Sequence, residues 1–129
     1  MISIYFESKY KVNSKKIISE VRKILKENHV VNAKLSVVIG TRYYIAELAK
    51  KYLNETKEEA WEHPVLSFSS AEIEGDYVMH PDEKKYLGEI IVSYQKAIEA
   101  SKINKTNIDK EISDLACHGA LHLIGVHHE

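Results

Sequence analysis

Ile2 to Phe6 alternates apolar and polar positions with aromatic and β-branched residues, the period of a half-buried strand. Asn13 or Ser14 can then cap a helix whose apolar positions Ile17, Ile18, Val21, Ile24 and Leu25 recur at helical spacing, with lysines outside. Leu35 to Ile39 reads as a second strand ended by Gly40, and Thr41 can cap a second helix with the stripe Ile45, Leu48, Ala49 and Tyr52. Val65 to Phe68 follows the helix-breaking Pro64 as a third strand. Glu72 to Glu83 is an acidic connection, and Glu89 to Tyr94 reads as a fourth strand able to pair with the third as a hairpin. Gln95 to Ala100 reads as a short helix. Asn107 can cap the last one, which packs through Ile108, Ile112, Leu115, Ala116 and Leu123. The predicted order β-α-β-α-β-β-α-α is an α+β layer, a small mixed four-stranded sheet packed with helices.

Residues 1 to 129 read as a single domain, with no repeat, linker or low-complexity stretch. No apolar run approaches the about 18 residues that span a bilayer. The single cysteine, Cys117, rules out an internal disulfide and suits a reducing compartment, so a cytoplasmic location is expected. The formal net charge of −1 conceals an asymmetry. Residues 1 to 57 carry 12 Lys+Arg against 5 Asp+Glu, and residues 58 to 129 carry 6 against 14. A basic first half can attract phosphates on one face, although lysines on solvated helix faces give the same count.

The candidate chemistry lies in the last dozen residues. His118 and His122 are four apart, which stacks them on one helical face within reach of one ion. Gly125 allows a left-handed stop, after which His128 can swing back as a third ligand. Three histidines with an open fourth position suit a catalytic zinc that acidifies water. His127 adjoins His128, yet spacing favours His128; two histidines in a row before Glu129 do not read as an affinity tag. Glu111 and Asp114 fall on the same face as His118 and can orient an imidazole or take a proton, unless they are simply solvated acids in the first helical turns. Cys117 points about 100° away from His118 and reads as a small core residue. His29 and His80 carry no signal, and His63 either lies near the site on its strand or, before Pro64, just shapes the turn.

The spacing H-x3-H-x2-G-x2-H is that of the metzincin peptidases, but Gly119 stands where those enzymes carry their general-base glutamate, and no methionine follows to form their Met-turn. The string H-G-A-L-H-L-I-G-V-H-H more closely resembles the H-G-x-L-H-L-x-G-Y-D-H signature of the YbeY family of bacterial zinc-dependent rRNA maturation factors. Three further blocks follow the family's order: Leu48 to Leu53 is similar to L-N-x-x-Y-R, His63 to Phe68 to T-D-V-L-S-F, and Leu87 to Ser93 to L-G-D-I-x-I-S. The chain departs from the family at Leu53, where the resemblance expects an arginine tied to activity, at His63 and Pro64, and at Val126 and His127. The resemblance also leads one to expect an acidic segment after the last histidine, which residues 1 to 129 do not include.

The resemblance implies an endoribonuclease-like hydrolase with one zinc ion on His118, His122 and His128, and with His118, Glu111 and Ser67 carrying catalysis. Water on the metal would attack a phosphodiester of rRNA or other single-stranded RNA, near the ribosome or its small subunit, without membrane or DNA. With Leu53 in place of arginine, the missing charge would come from Arg42, Lys50 or Lys51. The competing expectations are a metal-stabilised RNA-binding factor with little catalysis and a metallopeptidase-like hydrolase.

Overall fold

A computed structural model describes residues 1 to 69 and 85 to 125. The acidic connection with His80, and Val126 to Glu129 with His127 and the expected third ligand His128, lie outside the described residues. Four strands, β1 (Ile2–Ser8), β2 (Ala33–Gly40), β3 (Val65–Ser69) and β4 (Lys85–Ser93), form one sheet in the order β1-β2-β4-β3. β1 with β2 and β2 with β4 run parallel; β3 and β4 pair antiparallel, as the hairpin reading expected. The two parallel connections are made by α1 (Ser14–Glu27) and by the stretch that contains α2 (Arg42–Leu53) and α3 (Lys57–Trp61). They are followed by α4 (Tyr94–Asn104) and α5 (Ile108–Leu123).

The expected α+β order holds, with α3 added. Its signal was the capping box T-K-E-E: the Thr56 hydroxyl accepts from the Glu59 amide, and the Glu59 carboxylate accepts from the Thr56 amide. The caps expected for the longer helices are in place at Asn13, Thr41 and Asn107. β4 starts earlier than expected and stops one residue sooner. The Ser93 hydroxyl accepts from the Lys96 amide, so Tyr94 already belongs to α4.

Strand alternation divides the core into two clusters. Leu35, Val37, Ile39, Ile90 and Val92 face Ile17, Val21 and Leu25 of α1 and Ile112, Ala116 and Ala120 of α5. Leu66, Phe68 and Ile91 point the other way, onto Ile45, Ala46 and Ala49 of α2 and Ala60 of α3. α1 and α5 therefore share one face of the sheet, and Val65 and Ser67, the intervening residues of β3, turn to that face. Asp109 at the start of α5 accepts from the Asn13 amide at 2.9 Å, which ties the beginnings of the two helices together. Gly88 permits the tight junction of β3 and β4. It has φ +139°, and a Cβ there would lie 2.0 Å from the Phe68 carbonyl oxygen. Among the described residues no helix is long and apolar enough to cross a membrane.

Candidate metal and active site

α5 presents its buried stripe to the sheet and leaves a second stripe, Glu111, Asp114, Leu115, His118 and His122, facing β3 and the end of α4. With Pro64, Val65, Ser67, Ala100, Asn104 and Gly119 these residues line one pocket of about 570 Å³. The His118 and His122 rings are 4.4 Å apart between centroids and inclined at 49°. Both side chains are exposed. Helical periodicity alone accounts for the pairing, since residues four apart project from the same side. The helix then stops as expected: Gly125 has φ +85°, and its amide donates to the His122 carbonyl at 3.1 Å.

Two exposed imidazoles side by side on one helix face fit two positions of a first-row metal, with borderline, neutral nitrogen donors. Among the described residues no three His, Cys, Asp or Glu side chains gather to complete such a site. A further donor in the expected position of His128 would have to come from outside them.

Glu111 is not the solvated first-turn acid that its position allows. It is buried, 7% exposed, and one carboxylate oxygen, Oε1, accepts from Asn104 Nδ2 at 2.8 Å and from Thr106 Oγ1 at 2.9 Å. Asn104 and Thr106 had no signal in the sequence, because the contact depends on how the turn between α4 and α5 closes. Asp114, by contrast, is exposed and pairs with Lys110 one turn back at 2.8 Å. Gly119 packs so close to the sheet that a Cβ would meet Ile90 Cγ2 at 2.7 Å. Position 119 is therefore part of the core contact as well as the pocket floor.

Several sequence expectations need correction. Among the described residues no lysine or arginine lines the histidine pocket, so the basic first half does not supply its wall. Arg22, Lys23 and Lys26 lie together in a shallow depression along α1. Arg42 is committed elsewhere: it donates to the Trp61 carbonyl, lies 4.5 Å over the Trp61 ring, and pairs with Glu62 and Glu99. Lys50 pairs with Glu47, and Lys51 sits over the Tyr52 ring. His63 Nε2 and the acceptor oxygen Oε1 of Glu55 form a 2.6 Å hydrogen bond, and His63 is absent from the lining of the pocket.

Leu53 ends α2, 45% exposed, and is neither a core residue nor part of the described pocket wall. Leu53→Arg should accordingly change stability by no more than about 0.5 kcal/mol and leave any RNA cleavage unchanged. Chemical denaturation and a cleavage assay check this; a large loss of stability would mean that the side chain is buried.

Cys117 is half-buried on the α1 side of α5, and burial, reinforced by the nearby acids Glu20, Asp114 and Glu27, pushes its thiol up to about 11. The thiolate is the reactive form, and a more basic thiolate is more nucleophilic, so alkylation at pH 8 should run about tenfold slower than that of a thiol with the ordinary value of 9.0 and should accelerate as pH rises towards 11. Mass spectrometry over time, at two pH values, measures it.

On the opposite face of the sheet a smaller cavity of about 180 Å³ is lined by Glu7, Lys9, Thr41, Tyr44 and Glu89 among others. Burial, then the Glu89 and Glu7 carboxylates, raise the Tyr44 hydroxyl above its ordinary range. It contains no histidine and does not compete as the metal site.

The fold and the pocket define a class: an α+β domain with a helix-borne histidine pair, a held carboxylate and a strand serine opening on one cleft. The chain matches the model of the YbeY family, described as endoribonuclease YbeY, over residues 3 to 129, and it belongs to that family. It is 31% identical to an endoribonuclease YbeY of Caldicellulosiruptor bescii, with 92% of this chain and 73% of that protein covered. It is 34% identical to the one of Caldicellulosiruptor saccharolyticus, over 75% of this chain and 61% of the relative. For Syntrophomonas wolfei the identity is 38%, over 76% and 62%. The chain thus spans roughly three fifths to three quarters of the length of these curated relatives. A solution structure from Thermotoga maritima superposes with a TM-score of 0.57 at 23% identity, covering 98% of this chain and 75% of that one, which supports the fold.

Proposed function

We propose that this protein is a zinc-dependent endoribonuclease that matures ribosomal RNA in the cytoplasm, cutting single-stranded segments at or near the ribosomal small subunit. The observation that carries the reading is the convergence of His118, His122, Glu111 and Ser67 on one pocket in a chain of the YbeY family. His118 and His122, with His128, would hold the ion. When bound, zinc supplies Lewis-acid polarisation of the phosphodiester and lowers the pKa of a water molecule.

The electrostatics favour a cation at the histidines. Glu111 and Asp114 give the described wall two carboxylates and no basic side chain, so a phosphodiester entering the pocket would otherwise meet only like charge. In this scheme Glu111 takes a proton from the attacking water, and the Ser67 hydroxyl donates to a non-bridging phosphate oxygen. Pro64, Val65 and Leu115 provide an apolar wall for a ribose or base. Because no basic side chain of the described wall assists, turnover should be slow, about 10² to 10³ below that of an enzyme with one more pre-organised charge stabiliser.

The absence of basic side chains from the described wall also favours a second reading, a metal-stabilised RNA-binding factor with little catalysis. Zinc-loaded protein incubated with single-stranded rRNA fragments separates the two. Cleavage that needs the metal is the expected result. Binding should weaken about tenfold or more between about 50 and 200 mM salt, as for two or three phosphate contacts. Salt-dependent binding without turnover would select the second reading, and no binding would reject both.

A further inference from the structure

We infer that Asn104 and Thr106 are positioning residues for the reaction, holding the Glu111 carboxylate so that one oxygen is occupied and the other serves the pocket; this rests on the hydrolase reading above. α4 ends at Asn104, and Lys105 follows in the left-handed conformation with φ 55°. The Thr106 amide donates to the Ser101 carbonyl at 3.0 Å, closing the turn, and Asn107 caps α5. The reversal is so short that side chains on both sides of Lys105 reach Glu111, in the first turn of α5.

Both donors converge on the same oxygen, Oε1. Two donors on one oxygen are more than is needed to fasten a corner that the Thr106 amide and the Asn107 cap already close. They fix the carboxylate plane, and Glu111 and Asn104 both line the cleft with the histidines. A carboxylate held in this way meets an attacking water without first reorganising, which is how pre-organised groups lower a barrier. In the hydrolytic step the water oxygen forms the new bond to phosphorus and its proton passes to Oε2. The ribose oxygen leaves with the old bond's electron pair and takes up a proton from solvent water, and Glu111 gives its own proton back to solvent, so the carboxylate is regenerated.

The test uses the full chain loaded with zinc. Asn104→Ala and Thr106→Val should each lower kcat about tenfold with KM within about twofold, and the double variant should approach Glu111→Gln, at about 10² below wild type. Thr106→Ser, which retains the hydroxyl, should restore kcat. Zinc stoichiometry should stay unchanged in all of them. Independently of activity and metal, three-bond couplings about the Glu111 Cα–Cβ bond should report one rotamer in the wild type and averaging in the double variant. If kcat falls only as far as the folded fraction falls, or if the couplings do not change, Glu111 merely ties the corner and the inference is overturned. A wild-type protein that holds zinc and cleaves no RNA overturns the hydrolase reading instead, while the couplings still decide whether the two residues hold the carboxylate.

Discussion

On the proposed zinc reading, His118→Ala and His122→Ala should each strip the purified protein of most of its zinc, and the double variant should contain none. The two rings stand 4.4 Å apart on one helix face, so each variant removes a donor that its neighbour cannot replace. RNA cleavage should fall by more than the about 10²- to 10³-fold lost with a single charge stabiliser, because the whole cation goes. The melting temperature should fall too, since an ion that binds the folded state alone stabilises it by mass action. Both side chains are exposed, so in the metal-free protein the same substitutions should leave the melting temperature nearly unchanged. That contrast separates a ligand from a packing residue. Elemental analysis with thermal melts, with and without chelator, gives all these numbers; unchanged zinc in the double variant would place the metal elsewhere.

Gly119→Glu would restore the letters of the peptidase motif, and it should damage the fold without creating a peptidase. A Cβ at position 119 would lie 2.7 Å from Ile90 Cγ2, and Ile90 is fully buried in β4. Overpacking of this kind costs about 1 to 3 kcal/mol, and bringing a carboxylate beside an apolar strand adds to it. Replacing a mid-helix glycine returns at most about 1 kcal/mol of helix propensity. A net loss of about 2 to 4 kcal/mol is expected, on the order of 10 °C in melting temperature. Gly119→Ala isolates the Cβ contact from the charge. Wild-type stability in both variants would show that β4 yields and that the close approach of α5 is not required.

The caps at Asn13, Thr41 and Asn107, the helical stripes and the antiparallel β3–β4 pair were legible because each depends on neighbours within a few residues. So was the pairing of His118 with His122, which follows from a spacing of four on a helix. The stop at Gly125 was legible as well, from the conformational freedom of glycine. The capping box of α3 was equally local and was passed over.

Other features were decided only when separate elements met. The sheet order β1-β2-β4-β3 brings Ser67 beneath α5, and nothing in the local period of β3 specifies which helix will cover it. The turn at Lys105 delivers Asn104 and Thr106 to Glu111 and converts an apparently solvated acid into a held one. Arg42 left the list of candidate cations because Trp61, Glu62 and Glu99 surround it, 19 to 57 residues away along the chain. Gly119 read as a lost base; its place over Ile90 shows a close contact that any side chain there would have to push aside. The sequence by itself determined the helices, the strands and the two imidazoles that share a helix face, because backbone hydrogen bonding and side-chain period act over a few residues. Which carboxylate, hydroxyl and apolar wall those imidazoles meet was left to the tertiary structure, because contacts between distant segments depend on packing that no local pattern encodes.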